Sequence, residues 1–254
     1  MRIKILASGS KGNSTYVSFE NTSILIDVGI SFTKVHKALA ESNISPLDID
    51  VILITHNHSD HIYGLASFIK KSKAKVYIPI DLLSEIKQIV PIESIVLIDE
   101  SFNLDNIRIT LLQASHDVVC YGYLIENKDN NSLVYLTDTG YINKNYYETT
   151  KNKEAYIIET NHDEVMLMEG SYPYHMKRRI NSDSGHLSNK HAARYLSKTI
   201  GDNTKYIFLA HISEENNTKE LAYEEVLGEL KNNNFDAKRI IIADQYAATE
   251  EIEV

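Results

Sequence analysis

The segment His56-Asn57-His58-Ser59-Asp60-His61 places three imidazoles and one carboxylate within six residues. It follows an apolar run at residues 51–54 that is typical of a buried strand. Side chains two apart on an extended segment point the same way, so His56 and His58 can share one metal ion. Asp60 and His61 lie beyond the strand, where the chain turns into a helix, and can face a second ion. A polar loop with clustered histidines is the alternative, but these donors at this spacing favour a metal site that other strand ends must complete.

Three further candidate ligands follow strand-like runs elsewhere in the chain. They are His116, Asp138 and His211, each within three residues of the end of such a run. Alone, a residue of this kind is more typical of a turn or a satisfied surface group. With the histidine-rich segment they complete two sites. These are His56, His58 and His116 for one ion, and Asp60, His61 and His211 for the other, with Asp138 between them.

Short apolar or alternating runs recur along the chain and predict strands. They fall at residues 2–7, 14–19, 23–27, 51–54, 75–79, 107–113, 119–125, 132–137, 155–159, 204–209 and 238–242. Helical periodicity predicts helices at residues 33–41, 62–70, 81–89, 189–199 and 218–231. The last begins at Thr218 as N-cap and has Leu221, Val226 and Leu230 on its buried face.

Many strands with helices in both halves favour an α/β fold in which two sheets pack face to face with helices outside. No repeat, low-complexity tract or linker divides the chain, so we expect a single domain over residues 1–254.

The charge and the cysteine content limit the functional class. A net charge of −9 argues against a strongly basic protein that binds nucleic acids without regard to their base sequence. Basic patches nevertheless exist around Lys71 and Arg178. No apolar stretch approaches membrane-spanning length, so we expect no membrane partner. Cys120 is the only cysteine, which excludes an internal disulfide and favours a cytoplasmic location. Because Cys120 lies in a strand-like run, we expect its side chain to be buried in the core.

Polar loops supply candidate substrate contacts. Residues 7–15 form a Gly- and Ser-rich loop in which glycines let backbone N–H groups approach an anion. Ser10, Lys11 and Asn13 are its candidate contacts, and a plain hairpin loop is the alternative. Residues 159–163 offer more polar side chains than a turn requires, which makes His162 a further candidate.

The order His-x-His-x-Asp-His with a later His, Asp and His resembles the metallo-β-lactamase superfamily. The early run Ile24-Leu25-Ile26-Asp27-Val28-Gly29 also matches that family, which implies that Asp27 lies behind the ligands near the metal-binding loop. The resemblance implies an αββα sandwich with two mixed sheets. By itself it implies only a metal-dependent hydrolase or oxidoreductase.

Further segments resemble the YycJ/VicX-type, WalJ-like branch of this superfamily, whose members are regarded as DNA exonucleases. They are Gly185-His186-Leu187-Ser188-Asn189, Tyr172-Pro173-Tyr174 with Lys177-Arg178-Arg179-Ile180, and residues 210–217. The resemblance implies a 5′-to-3′ DNA exonuclease. The residues themselves leave DNA against RNA, exonuclease against endonuclease, and polarity open.

The expected mechanism uses two divalent ions roughly 3.5–4 Å apart, Zn, Mn or Fe, that share a water. Hydroxide attacks phosphorus, and Asp60 binds one ion and orients the nucleophile. His186 donates a proton to the leaving oxygen because an imidazole titrates near working pH, and Glu159 orients it.

We expect a nucleic acid partner, DNA above all, held by a small set of polar and aromatic side chains. The candidates are Ser10, Lys11, Asn13, His162, Tyr174, Arg178 and Arg179, with Tyr172 and Tyr141 as further stacking residues. Because the chain has sixteen tyrosines, we expect most of them to pack in the core or at an interface rather than to stack on bases. The oligomeric state stays open, with a dimer as one option.

Two other functions remain. The first is a small-molecule hydrolase of the same fold, such as a thioesterase, lactonase or cyclic-nucleotide phosphodiesterase. The basic stretch around Arg178 and the Gly-His motif favour a phosphorylated substrate instead. The second is a metal-binding regulatory protein without turnover, against which the complete set of predicted ligands argues.

Overall fold

The computed structural model describes residues 1–129, 131–231, 235–236 and 239–254. The chain divides into two compact units. The first comprises Met1–Arg108 with Asp244–Val254, and the second comprises Ile109–Ala243. Within the described residues the strands form two mixed sheets of seven strands each.

The first sheet combines an antiparallel meander with a parallel half. Its strands are β1 (Arg2–Ala7), β2 (Ser14–Phe19), β3 (Thr22–Ile26), β4 (Val51–Leu53), β5 (Lys75–Pro79), β6 (Ile95–Ile98) and β14 (Ile252–Glu253). The strand order is β14-β1-β2-β3-β4-β5-β6. β3 and β4 run parallel with Ile26 opposite Leu53, so the residues that follow both strands emerge at the same edge.

The second sheet has the order β13-β12-β11-β10-β9-β8-β7. Its strands are β7 (Ser101–Leu104), β8 (Ile107–Gln113), β9 (Tyr121–Asn127), β10 (Ser132–Leu136), β11 (Ala155–Glu159), β12 (Tyr206–Ala210) and β13 (Ile240–Ile242). β10, β11 and β12 are parallel, with Leu136 opposite Ile158 and Glu159 opposite Ala210. Their carboxyl ends therefore meet at one edge, where a site can be built on rigid strands.

Helices connect the strands within each unit. In the first unit they are α1 (Phe32–Ala40), α2 (Ser59–Ile62), α3 (Leu65–Ile69) and α4 (Leu83–Ile86), with 3-10 turns at Pro46–Asp48, Ile80–Leu82 and Ile92–Ser94. In the second they are α5 (Tyr146–Thr149), α6 (Glu164–Glu169), α7 (Tyr174–Ile180), α8 (Asn189–Thr199) and α9 (Lys219–Leu230). No helix in the described ranges is long and apolar enough to span a membrane.

Apolar side chains of α8 and α9 join those of the sheet strands in the core of the second unit. Leu196 and Val226 are fully buried there with Val134, Ile158 and Ile207. The strands carry consecutive buried residues rather than alternating ones, as expected where a sheet is covered on both faces.

Several predicted elements differ from the observed ones for local reasons. The helix predicted at 62–70 is two helices, because the chain packs closely at Gly64, where a Cβ would stand 2.0 Å from the carbonyl oxygen of Ile30. The helix predicted at 81–89 begins as a 3-10 turn and its α-helical part ends at Ile86. Leu221 is half-buried, and Ala222 lies in the core instead.

Strand boundaries also moved. The strand predicted at 119–125 begins only at Tyr121, so Cys120 precedes it, although the side chain is buried as predicted. The strand predicted at 204–209 begins at Tyr206. Residue 238 of the strand predicted at 238–242 lies outside the described residues. Six elements carried no prediction: β6, β7, β14, α5, α6 and α7.

Candidate metal centre

The histidine-rich segment of the first unit folds as its sequence predicts. β4 ends at Leu53, and His58 has an extended backbone and occupies the N-cap position of α2. The rings of His56 and His58 lie 4.6 Å apart between centroids, and those of His56 and His61 lie 4.0 Å apart. Asp60 Oδ2 is 3.5 Å from His61 Nε2. The first unit therefore brings all four predicted donors of this segment together.

Asp27 is hydrogen-bonded to His61 and to Thr55, the residue before His56. It follows β3 with a left-handed backbone (φ 60°) and is fully buried. Its Oδ1 accepts the backbone N–H of Thr55 at 2.9 Å, and its Oδ2 accepts the Thr55 hydroxyl at 2.8 Å and His61 Nδ1 at 2.7 Å. Burial raises the pKa of Asp27 and outweighs His61 and Thr55, which lower it. The strained backbone thus aims a carboxylate at the back of a candidate ligand.

The hydrogen bonds define which nitrogen each ring presents. Because the Thr55 hydroxyl donates to Asp27, it accepts from His56 Nδ1, which lies 3.0 Å away. His61 Nδ1 donates to the Asp27 carboxylate. The Asn13 amide nitrogen, which donates, lies 3.0 Å from His61 Nε2. Both rings therefore carry their proton on Nδ1 and keep the Nε2 lone pair, the form in which imidazole binds a metal ion.

A second cluster forms at the edge of the second sheet. Asp138, Glu159, His186 and His211 each offer an atom within 4.8 Å of the others. Asp138 and His211 lie just beyond β10 and β12 in the left-handed region, with φ of 55° and 53°. Asp138 Oδ1 is 3.6 Å from His211 Nδ1 and 3.8 Å from His186 Nδ1. The parallel register of β10, β11 and β12 accounts for the convergence of Asp138, Glu159 and His211.

Glu159 is the centre of this second cluster. Its Oε1 accepts from Nδ1 of His186 at 2.8 Å and from Nδ1 of His211 at 2.7 Å. Its Oε2 accepts the backbone N–H groups of Thr139 at 3.0 Å and Leu187 at 3.1 Å. Burial acts to raise the pKa of Glu159, but the two histidines act more strongly in the opposite direction and lower it to about 2. The group is a carboxylate that fixes both rings and leaves their Nε2 atoms for other chemistry.

His116 lies in the same unit, next to His186, with 5.3 Å between the ring centroids. Its Nδ1 donates to the carbonyl oxygen of Gly185 at 3.2 Å, and its Nε2 is 3.3 Å from Asp117 Oδ1. Burial lowers the pKa of His116, with Asp138 acting in the opposite direction. As in His56, His61 and His211, the ring of His116 has its Nδ1 held by an acceptor of the protein.

The predicted substrate residues fall into exposed and buried sets. Ser10 and Lys11 are exposed, as are Tyr174, Arg178 and Arg179 on and near α7. Arg179 pairs with Asp117. Asn13 and His162 are buried, and burial lowers the pKa of His162. The Asn13 amide lies beside Asp60 and His61, and His162 lies beside Ser188 at the start of α8.

Sequence reasoning missed two residues that position the ligands, Thr55 and Asn161. Thr55 holds both Asp27 and His56, and Asn161 Nδ2 donates to the His211 carbonyl oxygen at 3.0 Å. The position of Thr55 directly before His56 is the only signal that could have singled it out. Nothing in the sequence near Asn161 indicates its partner, which lies fifty residues away.

A family model described as a beta-lactamase superfamily domain matches residues 22–212. The chain belongs to the beta-lactamase superfamily. The match contains every predicted metal ligand. It confirms the family predicted from the His-x-His-x-Asp-His order.

Two similar proteins of known name identify the branch of the superfamily to which the chain is related. The chain is 39% identical over 236 residues to exodeoxyribonuclease WalJ of Streptococcus pneumoniae, covering 90% of this chain and 88% of that one. It is 34% identical over 240 residues to exodeoxyribonuclease YycJ of Bacillus anthracis, covering 92% and 91%. The predicted YycJ-type branch is confirmed.

Among solved structures of the superfamily, the metallo-beta-lactamase fold protein YhfI from Bacillus subtilis superposes with a TM-score of 0.70. The alignment covers 99% of this chain and 100% of that chain at 16% identity. At this identity the likeness concerns the fold alone, and it confirms the predicted fold class of two mixed sheets with helices.

Proposed function

We propose that this protein is a metal-dependent DNA exonuclease that hydrolyses phosphodiester bonds. The observation that carries the proposal is the match to two exodeoxyribonucleases over nine-tenths of the chain. We further propose that the enzyme degrades DNA from the 5′ end and that it acts in the cytoplasm.

The donor set fits divalent metal ions. The candidate ligands are imidazole nitrogens and carboxylate oxygens, and Nδ1 of His56, His61, His116 and His211 is held by a protein acceptor. Such outer partners fix a metal-binding ring and raise its basicity. We propose that two ions are bound by the seven residues His56, His58, Asp60, His61, His116, Asp138 and His211. Zn, Mn and Fe all suit this mixture of nitrogen and oxygen.

The predicted ligands of each ion come from the sequences of both units. For this reason we propose that residues 1–254 act as one catalytic domain. When bound, divalent ions neutralise charge on the phosphoryl group and make hydroxide available near neutral pH.

The chain's own residues supply the proton for the leaving group. His186 keeps 20% of its side chain exposed, whereas Glu159 behind it is fully buried. Glu159 accepts from Nδ1 and stabilises the protonated ring, which then carries a transferable proton on Nε2. We assign proton donation to His186 and its orientation to Glu159, while Asp60 is assigned to metal binding and to orienting the nucleophile.

Substrate binding is assigned to exposed cations and aromatic side chains. Lys11 with Ser10 lies on the loop after β1, and Tyr174 with Arg178 lies on α7. Arg179 must leave Asp117 before it can contact a phosphate. Asn13 and His162 are the buried members of the proposed set.

The test is a time course with Mn²⁺- or Zn²⁺-loaded protein on DNA labelled at the 5′ or the 3′ end, single- and double-stranded, with RNA and a thioester in parallel. We expect mononucleotides to be released from DNA, with loss of activity in EDTA. The matched variants are His186→Ala, which removes the proton donor, and His191→Ala, an exposed histidine on α8. Thioester hydrolysis without DNA cleavage would replace this proposal with the small-molecule hydrolase. Metal-loaded protein inert on every substrate would replace it with the regulatory protein.

A further inference from the structure

A small pocket of about 220 Å³ opens in the second unit. One wall is the end of β8 with the two residues that follow it, and the other is the segment from Tyr141 to the start of α5. Ser115 directly precedes His116, and Tyr141 follows Asp138 by three residues. The walls of the pocket are therefore continuous in the chain with two candidate metal ligands, and the proposed function gives the pocket no role.

Hydrogen bonds between the two walls fix the shape of the pocket. The Thr139 hydroxyl accepts the backbone N–H of Ser115 at 3.0 Å and donates to the carbonyl oxygen of Tyr141 at 2.7 Å. The Tyr146 hydroxyl accepts the backbone N–H of Gln113 at 3.0 Å. The walls are thus preformed, as expected of a site that holds a ligand in one orientation.

The lining of the pocket is polar but uncharged. Gln113, Ser115 and Asn143 contribute amide and hydroxyl groups, and Tyr141 and Tyr146 contribute phenol rings. Within the described part of the chain, no acidic or basic side chain lines the pocket. A phosphate group would find no cation here, so the pocket suits a neutral ligand that forms hydrogen bonds.

Amide side chains give the pocket both donors and acceptors. Asn143 Oδ1 accepts the backbone N–H of Asn145 at 3.0 Å, which orients the amide and leaves its NH₂ group to donate. Gln113 is exposed, and its side chain makes no hydrogen bond to any described residue, so it offers an oxygen and an NH₂ group. A nucleobase edge presents matching donors and acceptors in one plane. The deoxyribose of a strand has both its hydroxyls esterified and donates none.

The size of the pocket and its aromatic ring also favour a base. Sites for complete small ligands occupy roughly 300–1,000 Å³, so a smaller pocket suits part of a ligand, one base rather than a whole nucleotide. Tyr141 lines the pocket and is 47% exposed, so its ring is accessible to a ligand. Aromatic side chains stack on unpaired bases of any identity, because every base has a π-face.

We propose that this pocket holds one unpaired nucleobase of the DNA strand. Tyr141 stacks on the base, while Gln113 and Asn143 form hydrogen bonds with its edge. A paired base does not fit, because its partner already occupies that edge. The proposal rests on the proposed exonuclease function and adds to it a subsite that selects an unpaired, intact nucleotide. It gives roles to Gln113 and Asn143, which neither the motifs nor the relatives single out.

The test measures the binding of single strands that differ by one missing base. Native metal-free protein in EDTA leaves DNA intact and is titrated with short strands, each carrying one abasic nucleotide at a different position. We expect loss of the base at one position to weaken binding about tenfold, the scale of one lost stacking contact, and loss at the neighbouring positions to have a smaller effect. The sensitive position identifies the nucleotide that the pocket holds.

Variants of Tyr141 connect this effect to the pocket. Tyr141→Ala should weaken binding of the intact strand about tenfold, and removal of the sensitive base should then have no further effect, because both changes remove the same contact. Tyr141→Phe keeps the ring and should retain native binding. Equal affinity of the native protein for intact and abasic strands, including failure to bind any of them, would overturn the proposal. Losses that add in full in Tyr141→Ala would overturn it as well.

A matched pair of glutamines tests the contact with the base edge. Gln113→Ala should weaken binding of the intact strand about threefold, the scale of one lost hydrogen bond. Gln88→Ala should bind as the native protein does, because Gln88 is an exposed glutamine beyond α4 in the first unit. Equal losses in the two variants would remove the contact between Gln113 and the base.

A parallel nuclease assay with Mn²⁺ or Zn²⁺ distinguishes the two ways of failing. Cleavage of DNA by a protein whose binding is insensitive to every abasic site removes the base pocket and leaves the exonuclease. Binding that depends on one base, without cleavage of any DNA, keeps the pocket and removes the exonuclease.

Discussion

Nδ1 of His61 lies 2.7 Å from Oδ2 of Asp27, and both side chains are fully buried. The carboxylate only accepts, so the imidazole proton resides on Nδ1 and the Nε2 lone pair faces away from Asp27. Thr55 donates its backbone N–H to the other oxygen, Oδ1, and its hydroxyl to the same Oδ2. Asp27 therefore acts through His61, as a positioning residue for a candidate ligand.

Asp27→Asn tests this positioning. An amide can present its NH₂ group to Nδ1, which favours the other tautomer and puts the proton on the metal-binding nitrogen. Loss of an outer partner of this kind typically lowers metal affinity about 10- to 100-fold. Titration of metal-free protein with Zn²⁺ or Mn²⁺ measures the change, and Asp99→Asn, at an exposed position, is the control. Unchanged affinity in a folded Asp27→Asn protein would contradict the assigned role.

His58→Ala and His186→Ala should separate metal binding from catalysis. His58 is a predicted ligand, so its loss should remove bound metal and activity together. His186 is held by Glu159 and is assigned to proton donation, so its variant should retain metal and lose roughly 10²–10⁴-fold in rate. Metal analysis of both purified variants, beside their rates on DNA, gives the answer. A metal-loaded His186→Ala enzyme with normal rates would remove the proton-donor role.

The sequence predicts the bounds of a helix or strand best where its hydrophobic pattern alone determines which residues are buried. β8, β11 and α8 have the predicted bounds because each is a continuous apolar or periodic run between turn residues. The break at Gly64 has a tertiary cause, the close approach of the Ile30 carbonyl, which no local pattern reports. The short strand β7 escaped prediction because only alternate residues of Ser101–Leu104 are even half-buried.

The candidate ligands are predictable because they either belong to the histidine-rich segment or lie within three residues of the end of an apolar run. The contacts that hold them are not, since they depend on register between strands far apart in sequence. Glu159 reaches His211 because Glu159 pairs with Ala210 across two parallel strands. Asn13 is a predicted substrate contact in a Gly-rich loop, and no local pattern indicates that its amide lies against Asp60 and His61.

Glu154 should make the stability of the protein depend on pH. Burial raises the pKa of Glu154, but the hydrogen bonds and charge of Lys205, at 2.7 Å, and the amide of Asn131, at 2.9 Å, lower it overall. A carboxyl with a lowered folded pKa stabilises the protein above its ordinary value of 4.5 and loses that contribution as the pH falls below it.

Glu154→Gln should therefore lower the free energy of unfolding at neutral pH by up to about 1 kcal/mol, since the pair is partly exposed. The difference from the native protein should shrink as the pH falls through and below 4.5. Urea unfolding across this range is the measurement. Glu148→Gln is the control, because that side chain is 87% exposed and its Lys151 partner is 3.9 Å away. A deficit that stays constant down to acid pH would show that the carboxylate charge is not responsible.

Gly29→Ala should disrupt the first unit at the loop that carries Asp60. A Cβ on Gly29 would stand 1.7 Å from the Asp60 carbonyl oxygen and 2.6 Å from the Asn13 backbone nitrogen. These two atoms are themselves hydrogen-bonded at 2.7 Å, so neither can withdraw without breaking that bond. We expect a loss of about 3 kcal/mol in the free energy of unfolding, together with weaker metal binding because Asp60 moves.

Gly228→Ala is the matched control on α9. Among the described residues no heavy atom lies within 4 Å of its added Cβ, so the substitution should stabilise the helix by up to about 1 kcal/mol. Urea unfolding of both variants, with metal titration of each, compares an obstructed glycine with an open one. If Gly29→Ala were as stable as the native protein and bound metal equally well, the backbone of Gly29, Asn13 and Asp60 could not be the close-packed support of Asp60 that the structure describes.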